Sequence, residues 1–301
     1  MNDKLFTKKI FLFLIFILFS VLFFNLFFGI ALSFVFDINV EDFVRKIQNK
    51  EVLSINYLKA LKLNSFLNTL SVFLLPSLFY FFFFKKTYFL SIKRFEFNYR
   101  NLLLLLTICL LSLPVVSKLQ QINMSIDLIG FFGEKINKAS SSNEYIMNAL
   151  LSTNSLKGLI LNVFLLSLMP AVSEEFFFRG VLQSLLIKKT QKVIFSVFFI
   201  ALIFAFFHMN FYNIIPIFYA GIILGFLYCW TSSIWVPVLF HFMFNLLNIL
   251  MHFYQKKHNL NLEHLINNDS VLYLIICLVG VFCLLFLFKK TNKDYSSFFV
   301  E

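Results

Sequence analysis

Glu174, Glu175 and Arg179, in the run SEEFFFRG, stand inside a stretch apolar enough to cross a membrane. An ionisable group at a bilayer centre costs roughly 2.5–3.5 kcal/mol even on insertion scales, so such close neighbours require internal pairing or a wet cavity. On a helix, Glu175 and Arg179 at i and i+4 share a face about 40° wide, whereas Glu174 lies about 140° from Arg179. The expected ion pair is therefore Glu175 with Arg179, and Glu174 is left to act on water or a substrate. Pro170, one turn earlier, cannot donate to the carbonyl of Leu166 and should loosen the helix beside the carboxylates.

Two further elements carry groups of matching chemistry. The next apolar run ends in FAFFHMN, with His208 near its C-terminal end. Counted from the lysines at 188–192, Glu174 and His208 lie at depths of ~21 and ~24 Å on antiparallel neighbours, which brings them to one level. HFMFN then places His241 and Asn245 at i and i+4 on one helix face. Their expected depth is only ~12 Å, so either the 230–236 turn is sunk into the membrane or that helix is displaced.

A carboxylate, two imidazoles and an amide suit hydrolysis of an acyl bond. Glu174 with His208 can activate a water as general base, and His241 with Asn245 can stabilise an oxyanion. The cofactor question stays open at this level: Glu174, His208 and His241 are also plausible ligands for a divalent metal such as zinc, or no metal is used, and the HExxH spacing is absent. Two non-hydrolytic readings compete. Glu174, Glu175 and Arg179 could form a purely structural ion network, and proton-coupled transporters also set Glu, His and Arg near the midplane on broken helices. No paired interrupted segments occur in the two halves to favour transport.

EEFFFR fits an EExxxR motif, FAFFH an FxxxH motif and HFMFN an HxxxN motif. In order and spacing these resemble the CPBP family, which contains the type II CAAX prenyl endopeptidases and the bacterial Abi proteins. The likeness covers about residues 155–250 and implies an intramembrane endopeptidase, either a metalloprotease or one using a glutamate-activated water. Carried over, Glu174 and His208 resemble the water-activating pair, His241 and Asn245 the oxyanion donors, and Glu175 and Arg179 their supports. A peptide or protein is the implied substrate. A non-catalytic immunity or maturation factor that keeps the same cavity is the alternative.

These groups need a membrane scaffold. The chain has 301 residues, 60% hydrophobic and only 14% charged, against ~25% charged in soluble domains. The expected fold is all-α and polytopic, with about eight transmembrane helices enclosing a polar cavity. Spans are expected at about 10–36, 66–84, 101–117, 156–187, 192–209, 212–230, 233–251 and 270–288, with an amphipathic surface helix within 37–65 and a partly helical aqueous connection over 118–154. This divides the chain into an N-terminal membrane region (1–154), a catalytic core (155–250), and a loop, last span and tail (251–301).

Basic residues concentrate in short segments around Lys4, Lys8 and Lys9, around Lys85 to Arg100, at 188–192 and at 289–293, which places both termini in the cytoplasm. The net charge of +11 punctuates spans instead of forming a stripe, so membrane lipids and not nucleic acid are the expected partner. Abundant Phe, Lys and Asn point to an AT-rich genome and a bacterial cytoplasmic membrane. Cys109, Cys229, Cys277 and Cys283 make no CxxC pair and read as buried small apolar residues. Trp230 and Trp235 read as interfacial anchors, and His252, His258 and His264 as surface residues.

Overall fold

The computed structural model describes residues 3–88, 98–126, 133–258 and 271–291, all of them helical or in short connections. The long helices are α1 (Asp3–Val35), the pair α3 (Ile55–Thr69) and α4 (Leu75–Tyr88), and α5 (Tyr99–Ser125). A further continuous rod is built from α7 (Leu156–Val163), α8 (Met169–Glu175) and α9 (Ser184–Thr190); α10 (Val193–Phe207), α11 (Ile214–Thr231), α12 (Trp235–His258) and α13 (Val271–Thr291) follow. Two helices, α2 (Val40–Gln48) and α6 (Glu134–Leu151), complete the set.

Seven helical stretches among the described residues are long and apolar enough to cross a membrane, and α10, though apolar, falls short of that length. The protein is thus an all-α, integral membrane protein. Its lipid-facing character is plainest on α1, where Phe11, Leu18, Phe19 and Leu26 are exposed. Such a surface is stable only against hydrocarbon.

Three wide turns of i→i+5 hydrogen bonding interrupt the rods: Leu70–Leu74 between α3 and α4, Phe164–Leu168 before α8, and Phe176–Gln183 after it. The second ends just before Pro170, whose missing N–H removes an ordinary helical bond. Such turns concentrate at functional sites, and here two of them bracket Glu174 and Glu175.

One end of the bundle is covered by α2 and α6. Asn143 donates to the carbonyl of Met209 at 2.9 Å, and the Ser140 hydroxyl accepts from the Phe211 amide at 3.1 Å. Asn123 of α5 grips the same turn from inside, donating to Phe211 O at 2.7 Å and accepting from Ile215 N at 2.9 Å. Since α10 holds only 15 residues, about 22 Å, its exit turn stops short of a full ~30 Å crossing. Non-helical backbone at that depth needs protein cover or a wet cavity, and α6 with Asn123 supplies the cover.

Several expectations need correction. The amphipathic surface helix is confined to Val40–Gln48; residues 55–65 are the first turns of a rod that runs on through the wide turn into the second span. Its lysines and asparagines hid this, since they lie beside the α2–α6 cover. Cys283, expected to be buried, is exposed on the apolar α13. The connection over 118–154 has the helical content expected of it, since α5 continues to Ser125 and α6 occupies Glu134–Leu151. Trp230 is buried in the protein, stacked on Phe226 at 5.2 Å, whereas Trp235 is exposed. His252 sits half-buried within α12 and is no surface residue, while His258 is exposed. His264, Lys93, Arg94 and Lys293 lie outside the described residues.

Candidate active site

Arg179 and Glu175 are both fully buried and pair through Nη1 and Oε1 at 2.8 Å. A buried guanidinium must have all its charge compensated, and three neighbours share the task. Its Nη2 donates to the carbonyl of Gly221 at 3.0 Å, and its plane lies 4.6 Å over the ring of Phe204. One turn on, Gln183 repeats the reach across to α11, donating to Gly225 O at 3.0 Å and Cys229 Sγ at 3.2 Å. The Ser184 hydroxyl adds a second donor to the Arg179 carbonyl at 3.0 Å, beside the i→i+5 bond from its own backbone N–H.

This clamp is possible because α10 and α11 approach closely at two glycines. A Cβ on Gly221 would lie 3.1 Å from Ala201 Cα, and one on Gly225 would lie 2.9 Å from Val197 Cγ1. Gly221 and Gly225 thus form a G-x-x-x-G face of the kind that packs membrane helices, a signal present in the sequence but passed over.

Glu174 and His208 do meet at one level: Oε2 and Nε2 are 3.9 Å apart. His208 closes α10, and its Nδ1 lies 2.8 Å from the carbonyl of Phe204. A carbonyl only accepts, so Nδ1 carries a proton, and in the neutral form of the ring Nε2 presents a lone pair. Oε2 of Glu174 is buried and has no hydrogen-bond partner. Two acceptors at this spacing are bridged naturally by a water that gives one hydrogen to each. The residue after His208, Met209, is held at φ 48, a strained conformation for its type, and its carbonyl is the one that Asn143 of α6 engages.

His241 is placed differently from the expectation. Its Nδ1 lies 2.8 Å from Glu175 Oε1, the same oxygen that Arg179 engages. A carboxylate accepts, so Nδ1–H donates and only Nε2 remains for chemistry. Thr231, Ser232, Ser233 and Ile234 are all buried within the protein, as a turn set below the surface would be. Asn245 is half-buried one turn along, and its amide makes no hydrogen bond among the described residues. The rings of His208 and His241 both pack on Phe204, with centroids 4.6 and 6.1 Å from it. Phe204 therefore organises the site, which its motif position could have suggested.

Glu174, His208 and His241 do not form a ligand set as they stand. One nitrogen of His241, Nδ1, is committed to Glu175, and no three of His, Cys, Asp and Glu among the described residues are close enough to hold a metal ion. What the arrangement can do unaided is polarise a water between Glu174 and His208, with donors on α12 across from it.

Residues 156–247 match the family model of type II CAAX prenyl endopeptidase, Rce1-like. No curated protein and no solved structure gives a match.

Proposed function

We propose that the chain, whose residues 156–247 match the type II CAAX prenyl endopeptidase model, is an intramembrane endopeptidase in which Glu174 and His208 activate the attacking water. The observation that supports this best is the buried, partnerless Oε2 of Glu174 set 3.9 Å from His208 Nε2. A water held by both gives its proton to Glu174 as its oxygen attacks the scissile carbonyl. The resulting oxyanion faces α12, where the Asn245 amide donates to it. His241 joins as a donor from Nε2 only as the imidazolium, since its other nitrogen is tied to Glu175. Collapse of the tetrahedral centre expels the amine, which takes the proton from Glu174. Glu175 and Arg179 hold His241 in place and do not touch the reacting atoms.

The test compares peptide termini in membranes from cells making the native chain or Glu174→Gln at equal levels. New termini confined to the native sample support the peptidase and reveal its cleavage sites. Coincident profiles, under conditions where the gene is needed, would move the reading to a non-catalytic immunity factor or a transporter; proton uptake on substrate addition to liposomes separates those two.

A further inference from the structure

The two ends of the bundle stand differently to the reacting groups. Toward Lys188, Lys189 and Lys192 the way is closed: Arg179, Gln183 and Ile187, on successive turns past Glu175, are fully buried, and Val197 and Tyr228 pack around Ile187 from α10 and α11. The close contacts of Gly221 with Ala201 and of Gly225 with Val197 seal those two helices together. Toward the α6 end the same groups come to the surface. The His208 side chain is 33% exposed and that of Glu174 13%, and Asn210 and Asn245 are half-buried. A carboxylate and an imidazole are costly against hydrocarbon, so this exposure is to water. Polar lining continues past the site: Asn162 of α7 donates to the Leu150 carbonyl of α6 at 2.9 Å and keeps a buried Oδ1 without a partner, as is Nδ1 of His252 on α12. Arg179 Nε and Gln183 Oε1 also lack partners, but their side chains have no exposure at all. Since α6 and α7 both pack on α12, the opening lies beside α6.

Charge distinguishes the two ends. Lys9, near the start of α1, lies 5.5 Å over the ring of Phe84 in α4, and Lys289, near the end of α13, lies 5.8 Å over Trp230 beside the 231–234 turn. With the lysines at 188–192 they set basic residues of short segments at the end opposite α2 and α6. At the α2–α6 end Arg45 and Lys46 pair with Asp42, and Glu134 and Glu144 stand on α6. Basic residues in short segments are held in the cytoplasm. We propose that the site opens on the extracytoplasmic face, and that what it cuts is a peptide or protein segment presented from outside the cytoplasm. The nature of the substrate rests on the peptidase reading; the opening does not. The 15 residues of α10 carry His208 about 22 Å from the Lys192 turn, which sets it and Glu174 in the outer half of a ~30 Å hydrocarbon core. An exported chain, or the outer loop of another membrane protein, reaches that depth without crossing the buried plug of Arg179 and Gln183.

The experiment uses the full chain in right-side-out spheroplasts and in inside-out vesicles of a bacterial host, treated with a membrane-impermeant thiosulfonate. Glu144→Cys on α6 and Lys189→Cys on α9, both at exposed positions, mark the two ends, and Asn245→Cys marks the site. The native chain, with Cys109, Cys229 and Cys277 buried, gives the background. Glu144→Cys and Asn245→Cys should be labelled in spheroplasts and not in vesicles, and Lys189→Cys in vesicles and not in spheroplasts, because only a hydrated, accessible thiolate reacts. Asn210→Cys, in the turn after His208, replaces Asn245→Cys if that variant does not elute as the native protein does on size exclusion. Labelling of Glu144→Cys in vesicles alone puts α6 in the cytoplasm and overturns the proposal. Labelling of the site thiol in vesicles alone, or in neither preparation, overturns the opening. The substrate is read separately: termini that separate native from Glu174→Gln cells should fall in exported chains or outer loops, and termini confined to cytoplasmic segments overturn that half. Labelling as expected with coincident termini leaves the opening standing and removes the peptidase reading instead.

Discussion

At the scale of single residues, the two glutamates divide the work by their surroundings. Glu175 pairs with Arg179 and His241 through Oε1 alone and leaves its buried Oε2 without a hydrogen-bond partner, whereas Glu174 sets its own unpartnered Oε2 3.9 Å from His208. Glu174→Gln should therefore lower turnover by at least 10²-fold, on the order of a lost general base, while melting like the native protein in detergent. Full activity in that variant would remove Glu174 from the mechanism. Glu175→Gln should behave oppositely, stranding a buried guanidinium at a cost of about 3–5 kcal/mol. The expected outcome is a collapse of monodisperse yield on size exclusion, and normal yield would show the pair to be dispensable. Arg179→Lys should rescue little, since an ammonium cannot serve Glu175, the Gly221 carbonyl and the Phe204 face together. The Glu175–Arg179 pair and the meeting of Glu174 with His208 were legible from helical spacing and depth alone. The Glu175–His241 bond was not, because it depends on a turn buried inside the protein that hydropathy places at the surface.

At the scale of elements, the site depends on how closely α10 and α11 approach. Gly221→Ala would set a Cβ against Ala201, 3.0 Å from its Cβ and 3.1 Å from its Cα. Part of that clash is with backbone and cannot be relieved by a rotamer change. The variant should melt several degrees lower, and because the Gly221 carbonyl holds Arg179, activity should fall with it. Ala201→Gly in the same chain should restore only part of the loss, as it removes the Cβ contact alone. Additive losses in the double variant would show that the two residues do not meet.

The α2 cover makes a different forecast. Tyr57 donates to Asp42, and this hydrogen bond, with Lys46 at 3.5 Å and Arg45 beside it, holds the Asp42 carboxyl below its usual 3.8. A carboxyl depressed in the folded state contributes stability above its ordinary value, and that contribution is lost as pH falls through the lowered one. Limited proteolysis at 36–54 should thus be slow above pH ~4 and quicken in more acid solution, and Asp42→Asn should be cut at the acid rate at every pH. Neither α2 nor the helical form of α6 could be bounded from sequence, since both are polar segments ordered by contacts with distant turns.

At the scale of the whole molecule, one surface must meet lipid while a path inside admits water. Exposure alone does not separate the two: Ile276 on α13 is more exposed than Asn245, yet it belongs to a helix whose exposed residues from Ile275 to Leu287 are all apolar. Asn245 is half-buried one helical turn from His241, whose ring meets the Glu175–Arg179 pair, and ionisable groups at such a depth are tolerated when paired or near water. The polar groups come from four helices, so no single hydropathy profile could mark the path. Its position follows only from how the wide turns, the short α10 and the sunken 231–234 turn bring α8, α10 and α12 to one level.

The difference is measurable in a chain whose four native cysteines are replaced, with Asn245→Cys or Ile276→Cys added and the protein held in liposomes. A water-soluble thiosulfonate needs a hydrated thiolate to react. It should modify the thiol introduced at position 245 within minutes and leave the one at 276 untouched until the bilayer is dissolved in SDS. Labelling at 276 in the intact bilayer would place α13 away from lipid. Protection of position 245 would mean that no water reaches the level of Glu174 in the resting protein. Hydrolysis there would then require an opening of the α6 cover, which is tethered to the turn after His208 by the side chains of Asn143 and Ser140. Asn143→Ala would then be the variant in which labelling at 245 returns.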